Sequence, residues 1–104
     1  MAISNLEFFR AAVEKDPNNT FAQYSLAMEY RKTGALKDAL EKFREIIRRD
    51  PAYVAAYLMA AQTAIDSDNE SVAEEILRAG IETATSQNNS HAAGEMQDLL
   101  DSIL

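Results

Sequence analysis

Two places in the sequence carry ionisable side chains at spacings that could support chemistry, and His91 is the first. It is the only histidine, and the nearest carboxylate on its helical face belongs to Glu95, one turn further along. These two residues form an ordinary helical neighbour pair, whereas a general base or a metal ligand needs further groups that converge on the same point. We therefore expect His91 to be a solvated side chain.

The second place is the acidic segment from Asp66 to Glu70, which is spaced like the start of a calcium-binding loop. Such a loop needs a glycine at its turn and a bidentate glutamate at its far end, where this chain has Ser71 and Leu77. The sequence also lacks cysteine, a glycine-rich phosphate loop, zinc-type histidine spacing and a nucleophile elbow. It therefore predicts no enzyme, no metal site and no cofactor.

Composition indicates one globular domain. The chain has 104 residues, of which 47% are apolar and 26% charged. Residues 1–15 lack the basic start and apolar run of a signal peptide, and no apolar stretch is long enough to span a bilayer. We expect a soluble cytoplasmic protein.

The charge is negative overall and unevenly distributed. A net charge of −7 disfavours nonspecific binding to nucleic acid and to anionic membranes. Residues 31–49 hold seven of the ten basic residues against three acids, while residues 66–104 hold nine acids against Arg78 alone. Two interpretations stay open: solvated helix faces, or a polarity that orients a partner or a second copy of the chain.

Hydrophobic periodicity predicts six helices and no strand, over residues 3–15, 20–32, 35–49, 52–65, 70–83 and 91–103. We expect Asn19 or Thr20 to cap the second helix, Gly34 to end it in a left-handed conformation, and Ser90 to cap the last helix. A glycine inside a helix costs stability, so Gly80 predicts a close packing contact. In the first helix, Ile3, Leu6, Phe9 and Val13 form an apolar stripe that Phe8 and Ala12 widen.

A repeat of 34 residues organises the chain. The pairs Asp16-Pro17 and Asp50-Pro51 are separated by this interval. A shift of 34 also pairs Ala39 with Ala73, and Phe43 with Leu77. Two helices per unit at this period indicate an α-solenoid, in which stacked units supply one another's core.

The residues of this unit resemble the tetratricopeptide repeat. Residues 20–53 carry its pattern of large, small and aromatic side chains followed by a closing proline: Leu26, Ala27, Tyr30, Ala39, Phe43 and Pro51. Gln23 departs from the large residue of the pattern, and Ile46 from its alanine. The second unit carries Tyr57, Ala60, Ala61, Ala64, Ala73, Leu77 and Gly80, and is degenerate because Ala64 replaces the aromatic residue and Thr85 the closing proline.

This resemblance implies an all-α fold, a short α-solenoid of antiparallel helix pairs with about six helices. The chain is similar to small stand-alone bacterial proteins built from a pair of such repeats and a closing helix. We accordingly divide it into an N-terminal helix or half repeat (residues 1–17), a first repeat (18–53), a degenerate second repeat (54–87) and a C-terminal capping helix (88–104).

The resemblance also implies a function, because in this family the first helix of each repeat lines a concave groove that holds a segment of a partner protein. The residues expected to line that groove here are Phe21, Tyr24, Met28, Arg31, Leu58, Gln62 and Ile65. The alternative is that the N-terminal helix covers Phe21 and Tyr24, and the C-terminal helix Leu58 and Ile65. The lysine and asparagine with which the family clamps a partner's C-terminal carboxylate are missing, so a chaperone-tail adaptor is not expected.

A non-catalytic protein-interaction module that binds a peptide or helix of another protein is the function predicted first. The alternative is a structural element that assembles into a homodimer or larger homo-oligomer through the ends of the solenoid. Such assembly would hide the apolar residues Ile3, Phe9, Leu100 and Ile103.

Overall fold

The computed structural model describes residues 4–104, and this part of the chain contains six helices and no strand. They are α1 (Asn5–Lys15), α2 (Thr20–Lys32), α3 (Leu36–Arg49), α4 (Val54–Asp66), α5 (Glu70–Ser86) and α6 (Ser90–Ile103). Each helix packs against the next one along the chain, and α6 also contacts α4. The predicted all-α solenoid is confirmed; the predicted role of Ile3 lies outside the described residues.

Helix ends follow the 34-residue repeat. Gly34 has a φ of +86° and Asp68 a φ of +59°, and in both turns the next backbone N–H bonds to a carbonyl oxygen five residues earlier. This left-handed residue closes the helix before it, as predicted for Gly34. Asn19 caps α2 as predicted, because its side chain accepts from the Ala22 N–H at 3.1 Å.

The turn before α6 differs from the prediction. The helix α5 continues to Ser86, three residues beyond its predicted end, and leaves a short turn in which Asn88 has a φ of +58°. Because of this shorter turn, Asn89 accepts the Ala92 N–H at 3.1 Å and serves as the cap. The prediction that Ser90 caps this helix was wrong; Ser90 is its first residue.

The core is formed by buried residues of the five helices from α2 to α6. Phe43, Leu77 and Met96 are fully buried, and the alanines of α4 allow the neighbouring helices to approach closely. The helix α1 buries no residue completely, because it packs mainly against α2 alone. Phe8 is therefore 60% exposed, so the part of the α1 stripe that it widens is not covered by α2.

Gly80 lies where α5 approaches α4 and α6 closely. A Cβ atom at this position would lie 2.6 Å from Met96 Sδ and 2.7 Å from Tyr57 Cβ. These distances are well inside van der Waals contact, so only glycine fits without displacement of its neighbours. The close packing contact predicted from the sequence is confirmed.

A hydrogen bond to a proline carbonyl joins each repeat to the preceding loop. Tyr57 donates its hydroxyl to the Pro51 carbonyl oxygen at 2.7 Å. One repeat earlier, Gln23 donates its Nε2 to the Pro17 carbonyl oxygen at 2.9 Å. Gln23 is buried, however, and its Oε1 has no hydrogen-bond partner within residues 4–104. Gln23 therefore retains the hydrogen bond to the proline carbonyl oxygen although it departs from the repeat pattern. Its unpaired amide oxygen lowers the stability of the fold.

Candidate functional site

One face of the solenoid combines side chains from α2, α4 and α6, and we call it the groove. A depression of about 320 Å³ on this face is lined by Arg31, Gln62, Ile65, Asp66 and Leu99. It brings together three of the predicted groove residues, Arg31, Gln62 and Ile65, with Asp66 and Leu99, which the sequence analysis did not assign to the site. Leu99 lies on the C-terminal helix, so that helix contributes to the groove.

Three predicted residues, Tyr24, Met28 and Leu58, are half-buried and pack against the core. The ring of Tyr24 lies edge-on to Phe43, with centroids 5.8 Å apart, and 5.5 Å from the ring of Tyr53. Burial raises the pKa of the Tyr24 hydroxyl, since the phenolate is poorly solvated there, and the neighbouring Tyr53 adds to the effect. Tyr24 thus belongs partly to the core and partly to the surface.

Phe21 lies at the start of α2 and is 70% exposed. The alternative interpretation, in which the N-terminal helix covers this ring, therefore does not hold for Phe21. Its side chain is one of the few large apolar groups that the described part of the chain presents to solvent.

Arg31 connects α2 to α4. Its Nη1 donates to Thr63 Oγ1 at 3.0 Å, and its Nη2 donates to Asp66 Oδ2 at 2.7 Å. Asp66 is the last residue of α4, where the helix dipole disfavours a carboxylate, so the guanidinium stabilises a charge that is otherwise badly placed. Sequence reasoning placed Asp66 in a turn and missed this pair. The available signal was the separation of 35 residues, about one repeat.

Several ionisable residues outside the groove form surface ion pairs within one helix, such as Arg78 with Glu74. His91 is solvated as expected, and its Nε2 lies 2.9 Å from Glu95 Oε1. No three His, Cys, Asp or Glu side chains in residues 4–104 are grouped so that they could hold a metal ion. None of the helices in the same range is both long and apolar enough to cross a bilayer.

Residues 2–75 match the family model of the tetratricopeptide repeat. The chain belongs to the tetratricopeptide repeat family. Its resemblance to that family, inferred above from Leu26, Tyr30, Phe43 and their equivalents, is thereby confirmed. Proteins with this fold are generally protein-interaction modules rather than enzymes.

Solved structures support the same assignment. The solution structure of a tetratricopeptide repeat domain protein from Salinibacter ruber is 30% identical, covers 85% of this chain and 89% of its own, and superposes with a TM-score of 0.79. For a crystal structure of a tetratricopeptide repeat domain protein from Salinibacter ruber, the identity is 28%, the coverage 82% and 96%, and the TM-score 0.76.

A protein from Bordetella parapertussis is 20% identical over 98% of this chain and 89% of its own, with a TM-score of 0.84, and shares the fold. The curated proteins contain no match to this sequence.

Proposed function

We propose that this tetratricopeptide repeat protein is a non-catalytic interaction module that binds a peptide or helix of a partner protein in the groove. The observation that supports it best is that two half-buried apolar side chains, Ile65 of α4 and Leu99 of α6, line one depression together with Arg31 of α2. Met28 of α2 and Leu58 of α4 are half-buried as well. Apolar surface with a few polar groups is typical of sites that recognise peptides and helices.

The predicted residues take different roles in this proposal. Tyr24, Met28 and Leu58 form an apolar floor. The flexible thioether of Met28 can adapt to the shape of a partner. Phe21 offers an exposed aromatic anchor of the type that is common in protein interfaces. Gln62 is partly exposed, and its amide can donate to and accept from the backbone of a bound segment and so fix its direction.

The test is selection of a random peptide library displayed on phage against the wild-type protein and groove variants. Tyr24 and Met28 pack against the core, so the variants are placed at Phe21, which is exposed, and at Gln62, which is partly exposed and lines the depression, as Phe21→Asp and Gln62→Lys. Two variants on α5 change the net charge by the same amounts at exposed sites: Ala79→Asp matches the first and Glu82→Gln the second. Circular dichroism verifies that all four are folded.

If the peptides bind in the groove, Phe21→Asp and Gln62→Lys should each lower the affinity for them by about tenfold or more, as expected for loss of an interface anchor. The α5 controls should bind like the wild type. If the groove variants bind as tightly as the controls, the peptides contact another surface and the proposal is wrong.

A second candidate function is self-association through the N-terminal end of the solenoid. It is favoured by α1, which packs mainly against α2 and leaves Phe8 60% exposed. Light scattering should then give a mass that rises with concentration for the wild type and for Ala79→Asp, but not for Phe8→Asp. A monomer at every concentration would reject this candidate.

A further inference from the structure

We propose that Asp66 determines the specificity of the groove: by holding Arg31, it makes the groove select uncharged, apolar partner segments and reject acidic ones. This inference rests on the proposed function and names the chemistry of the partner. An arginine in the groove of a binding module would otherwise be the natural receptor for a carboxylate.

The geometry leaves Arg31 poorly available to a ligand. Its two terminal nitrogens are both engaged, one by Thr63 Oγ1 at 3.0 Å and the other by Asp66 Oδ2 at 2.7 Å. Thr63 is itself fixed, because its hydroxyl donates to the Met59 carbonyl oxygen at 2.6 Å. The side chain of Arg31 is only 22% exposed. Two of the five N–H donors of the guanidinium are used within the chain, and its charge is already paired with that of Asp66, so a partner carboxylate would gain less from Arg31 than from an unpaired arginine.

Asp66 also acts on the partner directly. Its side chain is 49% exposed and lines the same depression as Gln62, Ile65 and Leu99. A partner carboxylate in this depression would lie beside the carboxylate of Asp66, and like charges across an interface are unfavourable. An aliphatic side chain would instead contact Ile65 and Leu99, and would leave the Arg31–Asp66 pair intact.

The test repeats the peptide selection with Asp66→Asn, which keeps the size of the side chain and an oxygen acceptor but removes its charge. The matched control is Glu74→Gln on α5. Glu74 also pairs with an arginine, since its Oε2 lies 3.0 Å from Arg78 Nε, and the substitution changes the net charge by the same +1. Only peptides whose binding is lost in Phe21→Asp or Gln62→Lys are counted, so that the groove alone is assessed.

We expect peptides bound in the wild-type groove to be apolar and depleted in Asp and Glu. In Asp66→Asn, the frequency of acidic residues should rise by about fivefold, the upper range of what one exposed ion pair supplies. The Glu74→Gln control should retain the wild-type preference, because its charge lies outside the depression.

Three results would overturn the inference, and they are distinguishable. Selection of acidic peptides by the wild-type groove would reject the role of Asp66 while leaving the proposed function intact. If the frequency of acidic residues in the selected peptides rises equally in Asp66→Asn and Glu74→Gln, the preference depends on the net charge of the protein and not on Asp66. Absence of any groove-dependent peptide would reject the proposed function, and this inference with it.

Discussion

Replacement of Gly80 by alanine tests whether the contact of α5 with α4 and α6 is as close as the structure shows. In an open helical position this substitution is favourable, because glycine loses more backbone entropy on folding than alanine does. At Gly80 the added Cβ would lie 2.7 Å from Tyr57 Cβ and 2.6 Å from Met96 Sδ. The contact and the helix propensity thus act in opposite directions.

The magnitude follows from which neighbour can move. Met96 is flexible but fully buried, whereas Tyr57 Cβ is attached to the backbone of α4 and its hydroxyl is held by the Pro51 carbonyl oxygen. Overpacking costs about 1–3 kcal/mol, and the rigidity of Tyr57 places this case near the upper end. After subtraction of about 1 kcal/mol of helix propensity, Gly80→Ala should lower the free energy of unfolding by about 2 kcal/mol.

Gly94→Ala provides the matched control. Gly94 lies inside α6, is exposed, and has no atom within 4 Å of the position of an added Cβ. The same substitution should there raise the free energy of unfolding by about 0.5–1 kcal/mol. Urea unfolding monitored by circular dichroism measures both variants, and the slope of the transition verifies that the surface exposed on unfolding is unchanged.

The decisive result is the difference in sign between the two variants. If Gly80→Ala is as stabilising as Gly94→Ala, the helices around Gly80 are not in close contact, and the packing argument is refuted. If both substitutions destabilise, the helix propensity used for the control is wrong for this chain.

Two further predictions concern Gln23 and Tyr24. Gln23→Tyr should raise the free energy of unfolding by about 1 kcal/mol, because a hydroxyl can bond to the Pro17 carbonyl oxygen without the unpaired amide oxygen. Urea unfolding measures this, and a loss of stability would mean that the ring does not fit. The pKa of Tyr24 is raised above its ordinary 10.0, so the folded state holds the phenolic proton more tightly and stability falls as the pH rises above that value. Tyr24→Phe should reduce the fall above about pH 10; an equal fall in both proteins would contradict the assignment.

Local features of the fold could be predicted from the sequence because they depend on residues close together in the chain. The period of the apolar residues places six helices, the Asp-Pro pairs and Gly34 punctuate them, and the 34-residue shift identifies the repeat. Boundaries were less certain where no proline or glycine marks them, as in the turn between α5 and α6. There the extra turn of α5 moved the cap from Ser90 to Asn89.

The candidate site could be predicted only in outline. The resemblance to the repeat family, together with helical spacing, placed Arg31, Gln62 and Ile65 in one groove, and the structure brings them into one depression. The sequence pattern could not show that Tyr24 belongs partly to the core, because this depends on contacts with Phe43 in the next helix and with Tyr53 in the loop after it.

The sequence by itself determined the helices, their order and the family, because periodicity and helix-ending residues act over one or two turns. Only the tertiary structure decided which side chains find a partner in a neighbouring helix and which stay unpaired or exposed. Arg31 is paired with Asp66, Gln23 retains an unpaired oxygen, and Phe8 is left exposed. Each of these outcomes depends on how neighbouring helices approach one another, and a helical pattern specifies the face of a helix without specifying the contacts of each side chain.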